Sequence, residues 1–351
     1  MYPNYPVLTP GIKLCAKVEP LVTETYCTFL EQMGIRYAYT WIAPEQFTKA
    51  FIMGLKERLA RHGITLFNVG SVHIAKNEDI ILAKPGRDAA IAHFIDCLKV
   101  LSESGIHTTT ITWEPDGCWA SDWDYPTRGG ALTRACDMGV FTEDGRRTAD
   151  TRYTQIPIDR DAFVKTGLTH GRIYTAEEMW DSFTYFIRKV IPYAEEYGVR
   201  IALHPNDPPV ESMGGVACLI KSYDDYRRAY SVCDSPFLGM EFCCGCCLET
   251  PDTFGDILEA IREFTARKKI FLVHFRNVRG KLPCFEETFI DEGSTDMLPI
   301  MQEFVKCGFD GTLIMDHTPR MIPEGGGYPE TAYAYGYIRA LLQVAEGSAG
   351  R

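Results

Sequence analysis

Four side chains able to hold a divalent metal stand at the ends of four successive apolar runs: His204 in VRIALH, Cys243 in FLGMEFC, His274 in IFLVHFRNV and Asp316 in TLIMD. Two imidazoles, a thiolate and a carboxylate form a mixed N/S/O set suited to a transition metal. His73 and Glu114 follow two earlier runs in the same way, and His317 is adjacent to Asp316. Adjacent residues at a strand end point in different directions, so Asp316 can face a metal while His317 faces a substrate and moves a proton. Arg276, Asn277 and Arg320 carry the chemistry to grip a carboxylate or sugar hydroxyls. A single histidine on an apolar strand is more often a hydrogen-bonded core residue. The joint arrival of four ligand types is what points to a metal.

The segment Cys243-Cys244-Gly245-Cys246-Cys247 is a poor zinc or iron–sulfur motif. Such sites draw on spaced CxxC pairs or on histidines, and adjacent thiolates cannot all turn to one ion. Only Cys243, at the strand end, is expected to ligate; Cys244, Cys246 and Cys247 are expected to pack as small hydrophobes.

The elements that must position these groups alternate regularly. Strands are expected at 12–18, 37–42, 64–69, 107–113, 199–204, 237–243, 270–278 and 312–316. Helices are expected at 21–34, 45–63, 88–105, 176–197, 223–232, 253–268, 296–307 and 333–344. Asp88 is expected to cap free amides at the start of the third helix. Eight alternations predict a single (β/α)8 TIM barrel, whose catalytic groups sit at the C-terminal ends of its strands. A doubly wound sheet is disfavoured, because no Gly-rich phosphate turn follows the first strand. Residues 117–172 break the pattern, and so long an insertion reads as a lid or an oligomer contact.

The 351 residues carry a formal net charge of -11 and a pI near 5.3. Both argue against nucleic acid as a partner. The apolar runs fall short of the roughly 20 residues of a membrane span. MYPNYPVLTPG shows no basic-then-apolar leader, so the expected compartment is the cytoplasm. Thirteen cysteines, an odd number, read as reduced thiols, among them Cys15, Cys97 and Cys218 inside apolar patterns.

HPNDPP at 204–209, GMEFCCG at 239–245, VHFRNV at 273–278 and DHTPRM at 316–321 resemble the motifs of the mannonate dehydratase family. So do KPGRD at 84–88, TRGG at 127–130, FEETFIDEGSTDM at 285–297 and GYPETAYAYGYIRALL at 327–342. The resemblance covers most of the chain in order, and that family is similar in fold to xylose-isomerase-like barrels. It implies a divalent ion, usually Mn²⁺, on His204, Cys243, His274 and Asp316. It also implies acid/base roles for His317 and for a tyrosine of the GYP segment, Tyr328. The implied reaction removes water across C2 and C3 of a sugar acid, D-mannonate or a related aldonate, leaving a 2-keto-3-deoxy acid. The small-molecule sugar acid would be the partner of a homo-oligomeric enzyme.

The chain departs from the family pattern around the substrate. Asn206 stands where Asp is usual, Cys244-Gly245-Cys246 where Thr-Gly-Ser is usual, and Ile314-Met315 where Arg-Pro is common. Thr318 replaces a glycine, and Trp113-Glu114-Pro115-Asp116 opens a different aromatic loop. Asn206 is expected to remove a negative charge beside the metal. A rival reading is a metal-dependent sugar or sugar-acid isomerase or epimerase, favoured by Glu114 as a carboxylate base. A non-catalytic sugar-acid binding protein would have no need to keep four ligand types.

Overall fold

The computed structural model describes residues 10–147 and 152–349. Eight parallel strands form the barrel sheet: β1 (Lys13–Lys17), β2 (Tyr37–Trp41), β3 (Thr65–Gly70), β4 (Thr108–Thr112), β5 (Arg200–His204), β6 (Leu238–Cys243), β7 (Ile270–His274) and β8 (Thr312–Ile314). Their spatial order is β3-β2-β1-β8-β7-β6-β5-β4. At the seam between β3 and β4, Thr109 Oγ1 donates to Val69 O at 2.9 Å and Asn68 Nδ2 to Thr110 Oγ1 at 3.1 Å. All of β4 (TTTIT) and all of β6 (LGMEFC) are buried, as expected of strands covered on both faces.

The outer helices are α1 (Glu24–Gln32), α2 (Lys49–Ala60), α3 (Arg87–Glu103), α4 (Ala176–Tyr197), α5 (Tyr223–Val232), α6 (Ile257–Ala266), α7 (Met297–Lys306) and α8 (Tyr328–Ala349). α4 starts at a Thr175/Glu178 capping box and stops at Gly198. It buries Phe183, Phe186, Ile187, Val190 and Ile191. A helix of this length is held mainly by such a stripe.

Three local expectations are corrected. The third helix is capped at Gly86, not by Asp88, whose carboxylate accepts from Tyr185 Oη at 2.7 Å and pairs with Lys189. The helix expected at 253–268 breaks at Gly255, where φ is +113°, a region L side chains rarely adopt. The seventh barrel strand stops at His274, and Val278–Lys281 belongs to a second sheet.

That second sheet explains the insertion. Asp122–Pro126 and Leu132–Asp137 form a hairpin across the TRGG turn, where Gly129 and Gly130 have φ of +65° and +83°. The hairpin continues antiparallel into Cys284–Glu287 and Val278–Lys281, the excursion after β7. Trp119, Tyr153, Phe163, Met213 and Cys218 make a separate apolar cluster beneath it. The insertion is a packed cap, and through Arg134 and Glu287 it reaches the C-terminal ends of the barrel strands.

Candidate metal centre and active site

β5, β6 and β7 bring a nitrogen of His204, the sulfur of Cys243 and a nitrogen of His274 within 4.8 Å of one another. Asp316 lies just past β8 at φ +58°, a left-handed conformation uncommon for a non-glycine residue and characteristic of functional sites. Its Oδ1 is 3.3 Å from His274 Nδ1. His204 Nδ1 lies 2.7 Å from Pro205 O. Donation to that carbonyl places the proton on Nδ1 and leaves Nε2 as the free lone pair.

His274 shows the site's character most clearly. Its Nε2 faces Glu241 Oε1 at 2.5 Å, while its buried Nδ1, 3.3 Å from Asp316 Oδ1, makes no hydrogen bond among the described residues. A carboxylate holding one imidazole nitrogen while the other stays available is the usual arrangement of a metal-ligating histidine. Burial opposes a charged His274, but Asp316 and Glu241 outweigh it and raise the imidazole well above its ordinary value. Burial likewise opposes a Cys243 thiolate. Hydrogen bonding with Cys246 and the charge of Arg276 outweigh it and hold the thiol well below its usual range. A preformed thiolate and an unpartnered imidazole nitrogen fit a soft-to-borderline divalent ion.

Behind the ligands lies a buried network of charge. Arg276 donates to Glu287, to Glu249 Oε1 at 3.0 Å and to Asp207 Oδ2 at 3.3 Å, and its Nη2 is 3.6 Å from Cys243 Sγ. Arg134, from the cap, donates to Asp207 Oδ1 at 2.5 Å, to Glu287 Oε1 at 3.0 Å and to Trp119 O. Burial and the neighbouring Asp207 push the Glu249 carboxyl well above its usual range. Two guanidiniums thus face three buried carboxyl groups. A Cβ on Gly245 would stand 2.1 Å from Arg276 Nε, so only glycine fits between the cysteines there.

A cavity of about 350 Å³ opens over the ligands, with Lys17, Tyr39, Trp41, Lys76 and Gln155 on its wall beside His204, His274 and Asp316. That is the size range of small-molecule sites. His317 faces it, with its Nδ1 2.9 Å from Glu287 Oε1. Burial of the ring opposes its charge, but the Asp316 and Glu287 carboxylates outweigh that and raise its affinity for a proton. Glu114 is also on the wall, but both its oxygens are engaged, by Lys76 Nζ at 2.6 Å and by the Asp207 amide at 3.0 Å.

Other residues singled out in the sequence are engaged away from the cavity wall. Arg276 is fully buried, and its terminal nitrogens are consumed by the carboxylates above. Asn277 is also buried, tying down Ile290 O and Thr295 O. Arg320 is exposed and pairs with Asp124 and Trp123 O of the cap. His73 points to Ser71 and His93, outside the cavity wall. Tyr328 packs on Tyr26 and Phe29 of α1, with ring centroids 5.3 and 4.7 Å away, in a neighbouring cavity. Asn206 does not adjoin the ligands: it bonds Trp113 O and the Ile220 amide, holding the loop after β5. Of the cysteines beside Cys243, Cys247 accepts from Tyr223 Oη at 3.0 Å and Cys246 lies against Arg276.

Sequence reasoning missed Glu241, Lys76, Glu287 and Arg134. Glu241 was findable, since it lies two residues before Cys243 on one strand and so faces the same side. Lys76 carries no such signal.

The fold is that of a capped parallel (β/α)8 barrel. The fold matches a xylose isomerase domain protein from Planctomyces limnophilus with a TM-score of 0.61 at 10% identity, over 97% of this chain and 100% of that one. A much closer fold is the mannonate dehydratase of Streptococcus suis serotype 2: TM-score 0.82, 23% identity, 98% of this chain and 96% of that one. Residues 30–348 match the family model described as D-mannonate dehydratase (UxuA). Mannonate dehydratase 2 of Halalkalibacterium halodurans is 31% identical over 305 residues, covering 84% of each chain. This chain belongs to the mannonate dehydratase family, and is a carbon–oxygen hydro-lyase.

Proposed function

We propose that this enzyme dehydrates D-mannonate or a closely related aldonate to the 2-keto-3-deoxy acid, with a divalent ion, Mn²⁺ by family resemblance, held by His204, Cys243, His274 and Asp316. The observation that carries this reading is that ligand atoms of His204, Cys243 and His274 lie within 4.8 Å of one another, with Asp316 Oδ1 3.3 Å from His274 Nδ1. Bound there, the ion would supply Lewis acidity toward the substrate carboxylate and a neighbouring hydroxyl.

The chain's own residues account for the remaining needs. Hydroxide is a poor leaving group, so the departing C3 oxygen must be protonated. His317 is the proton-transfer group for both ends of the elimination: Glu287 holds its Nδ1, which leaves Nε2 to take the C2 proton and to protonate the C3 oxygen as the C3–O bond breaks. That oxygen leaves as water, and the resulting enol tautomerises to the 2-keto acid. Lys17, on the cavity wall, supplies cationic charge where the family's strand-eight arginine is replaced by Ile314, while Lys76 is held by Glu114. Glu241 orients His274 through its Nε2. The isomerase reading relied on Glu114 as a base, and the engagement of both its oxygens removes the feature that favoured it.

The test is incubation of metal-loaded enzyme with D-mannonate and a panel of aldonates, followed by colorimetric detection of a 2-keto-3-deoxy acid. Product should form, vanish with chelator and return with Mn²⁺. Aldonates left unchanged while substrate C–H exchanges with deuterium would overturn the dehydratase reading in favour of an isomerase.

A further inference from the structure

We propose that His73, His93 and Cys97 form a second transition-metal site, of the zinc class, separate from the centre at the barrel mouth. His93 and Cys97 lie four residues apart on α3 and so share one face. His73, on the short helix Val72–Ala75 after β3, comes down onto that face. A ligand atom from each lies within 4.8 Å of the others.

The separations are those of a tetrahedral site. Zinc-type bonds of about 2.0–2.1 Å to nitrogen and about 2.3 Å to sulfur, at tetrahedral angles, place two nitrogens roughly 3.4 Å apart and a nitrogen and sulfur roughly 3.6 Å apart. His73 Nε2 and His93 Nε2 are 3.2 Å apart, and Cys97 Sγ is 3.7 Å from His93 Nε2.

The tautomer of His73 is also set for ligation. Ser71 Oγ is buried and donates its single proton to Ile42 O at 2.5 Å. It can therefore only accept from His73 Nδ1, 2.6 Å away. The proton of His73 then sits on Nδ1, and Nε2 presents a bare lone pair to His93. A second residue fixing the far nitrogen in this way is what metal-ligating histidines require.

Two imidazoles and a thiolate select Zn²⁺-like ions over Mg²⁺ or Ca²⁺. His93 is exposed, which leaves the fourth position to water. On binding, the Cys97 thiol, pushed up to about 12 by its burial, gives its proton to solvent. The ion would pin the Val72–Ala75 turn to α3. Lys76, the next residue, forms the ion pair with Glu114 on the cavity wall, so an ion here would steady that wall from outside.

The test uses Co²⁺ alone on metal-free protein. Wild type should take up about one equivalent more than His93→Ala, and that equivalent should carry a thiolate-to-Co²⁺ charge-transfer band. Cys97→Ser should lose the same equivalent. His204→Ala, which disrupts the other centre, should keep it, so failure of one centre is distinguishable from failure of the other. His93 is exposed, and its variant carries little risk of misfolding. Equal Co²⁺ uptake by wild type and His93→Ala would overturn the proposal.

Discussion

His274 and Arg276 stand two residues apart at the end of β7. Each keeps one buried nitrogen, Nδ1 and Nε, without a hydrogen bond among the described residues, but they differ in how many carboxyl groups hold the rest. His274 Nδ1 lies beside Asp316, a carboxylate in a left-handed backbone conformation. Arg276 has its terminal nitrogens occupied by Glu287, Glu249 and Asp207. His274 is held through Nε2 by Glu241 and has a ring nitrogen left to bind, whereas Arg276 spends its terminal nitrogens on these three carboxyl groups. The arginine network joins the cap to the barrel and, through Glu287, holds His317, the proposed proton-transfer group.

The largest effect is expected from breaking the network. Arg276→Met leaves Asp207 and Glu287 buried with one cation fewer, and should cost about 3–5 kcal/mol in urea unfolding. A cost below about 1 kcal/mol, with substrate KM raised instead, would return Arg276 to the substrate. His317→Gln attacks the binding side of the comparison. It should lower kcat by about 10²–10⁴-fold while Mn²⁺ affinity and unfolding free energy stay near wild type.

Glu287 spans both regions, and pH separates its roles. Burial opposes its charge, but His317, Arg276 and Arg134 outweigh it and hold the carboxyl at about 2, below its ordinary 4.5. A depressed carboxyl contributes stability that is full above about pH 4.5 and is lost as pH falls toward about 2, on the order of 3 kcal/mol in all. Acid unfolding of Glu287→Gln should therefore be flatter than wild type across that window. Its kcat should fall by about 10–100-fold as His317 loses its anchor. An unchanged acid profile would remove Glu287 from the network. The smallest effect is expected from Arg320→Ala, which touches only exposed cap groups and should change unfolding free energy and turnover within about 0.5 kcal/mol.

The sequence made the barrel legible because buried parallel strands read as uninterrupted apolar runs, and the helix stops at Gly34, Gly63 and Gly198 are explicit. It brought His204, Cys243, His274 and Asp316 to one place because the polar residues that end successive barrel strands share one mouth. It could not separate Arg276 from a substrate clamp, because its partners come from distant segments: Asp207 after β5, Glu249 after β6 and Glu287 in the cap. Arg320 was opaque for the same reason, since its partner Asp124 belongs to the irregular insertion. Tyr328 came by resemblance alone, and the start of α8 packs it against α1. Charged side chains near a site look alike in sequence, and only tertiary pairing tells a builder from a binder.

The central claim is that His204, Cys243, His274 and Asp316 together hold the ion on which turnover depends. Its most direct test is Mn²⁺ binding, followed by the EPR signal of the free ion, to metal-free protein with and without His204→Ala in a His93→Ala background. The parent should bind Mn²⁺ stoichiometrically and turn over aldonate, and the His204→Ala protein should do neither. Stoichiometric Mn²⁺ binding by the His204→Ala protein would contradict the ligand assignment.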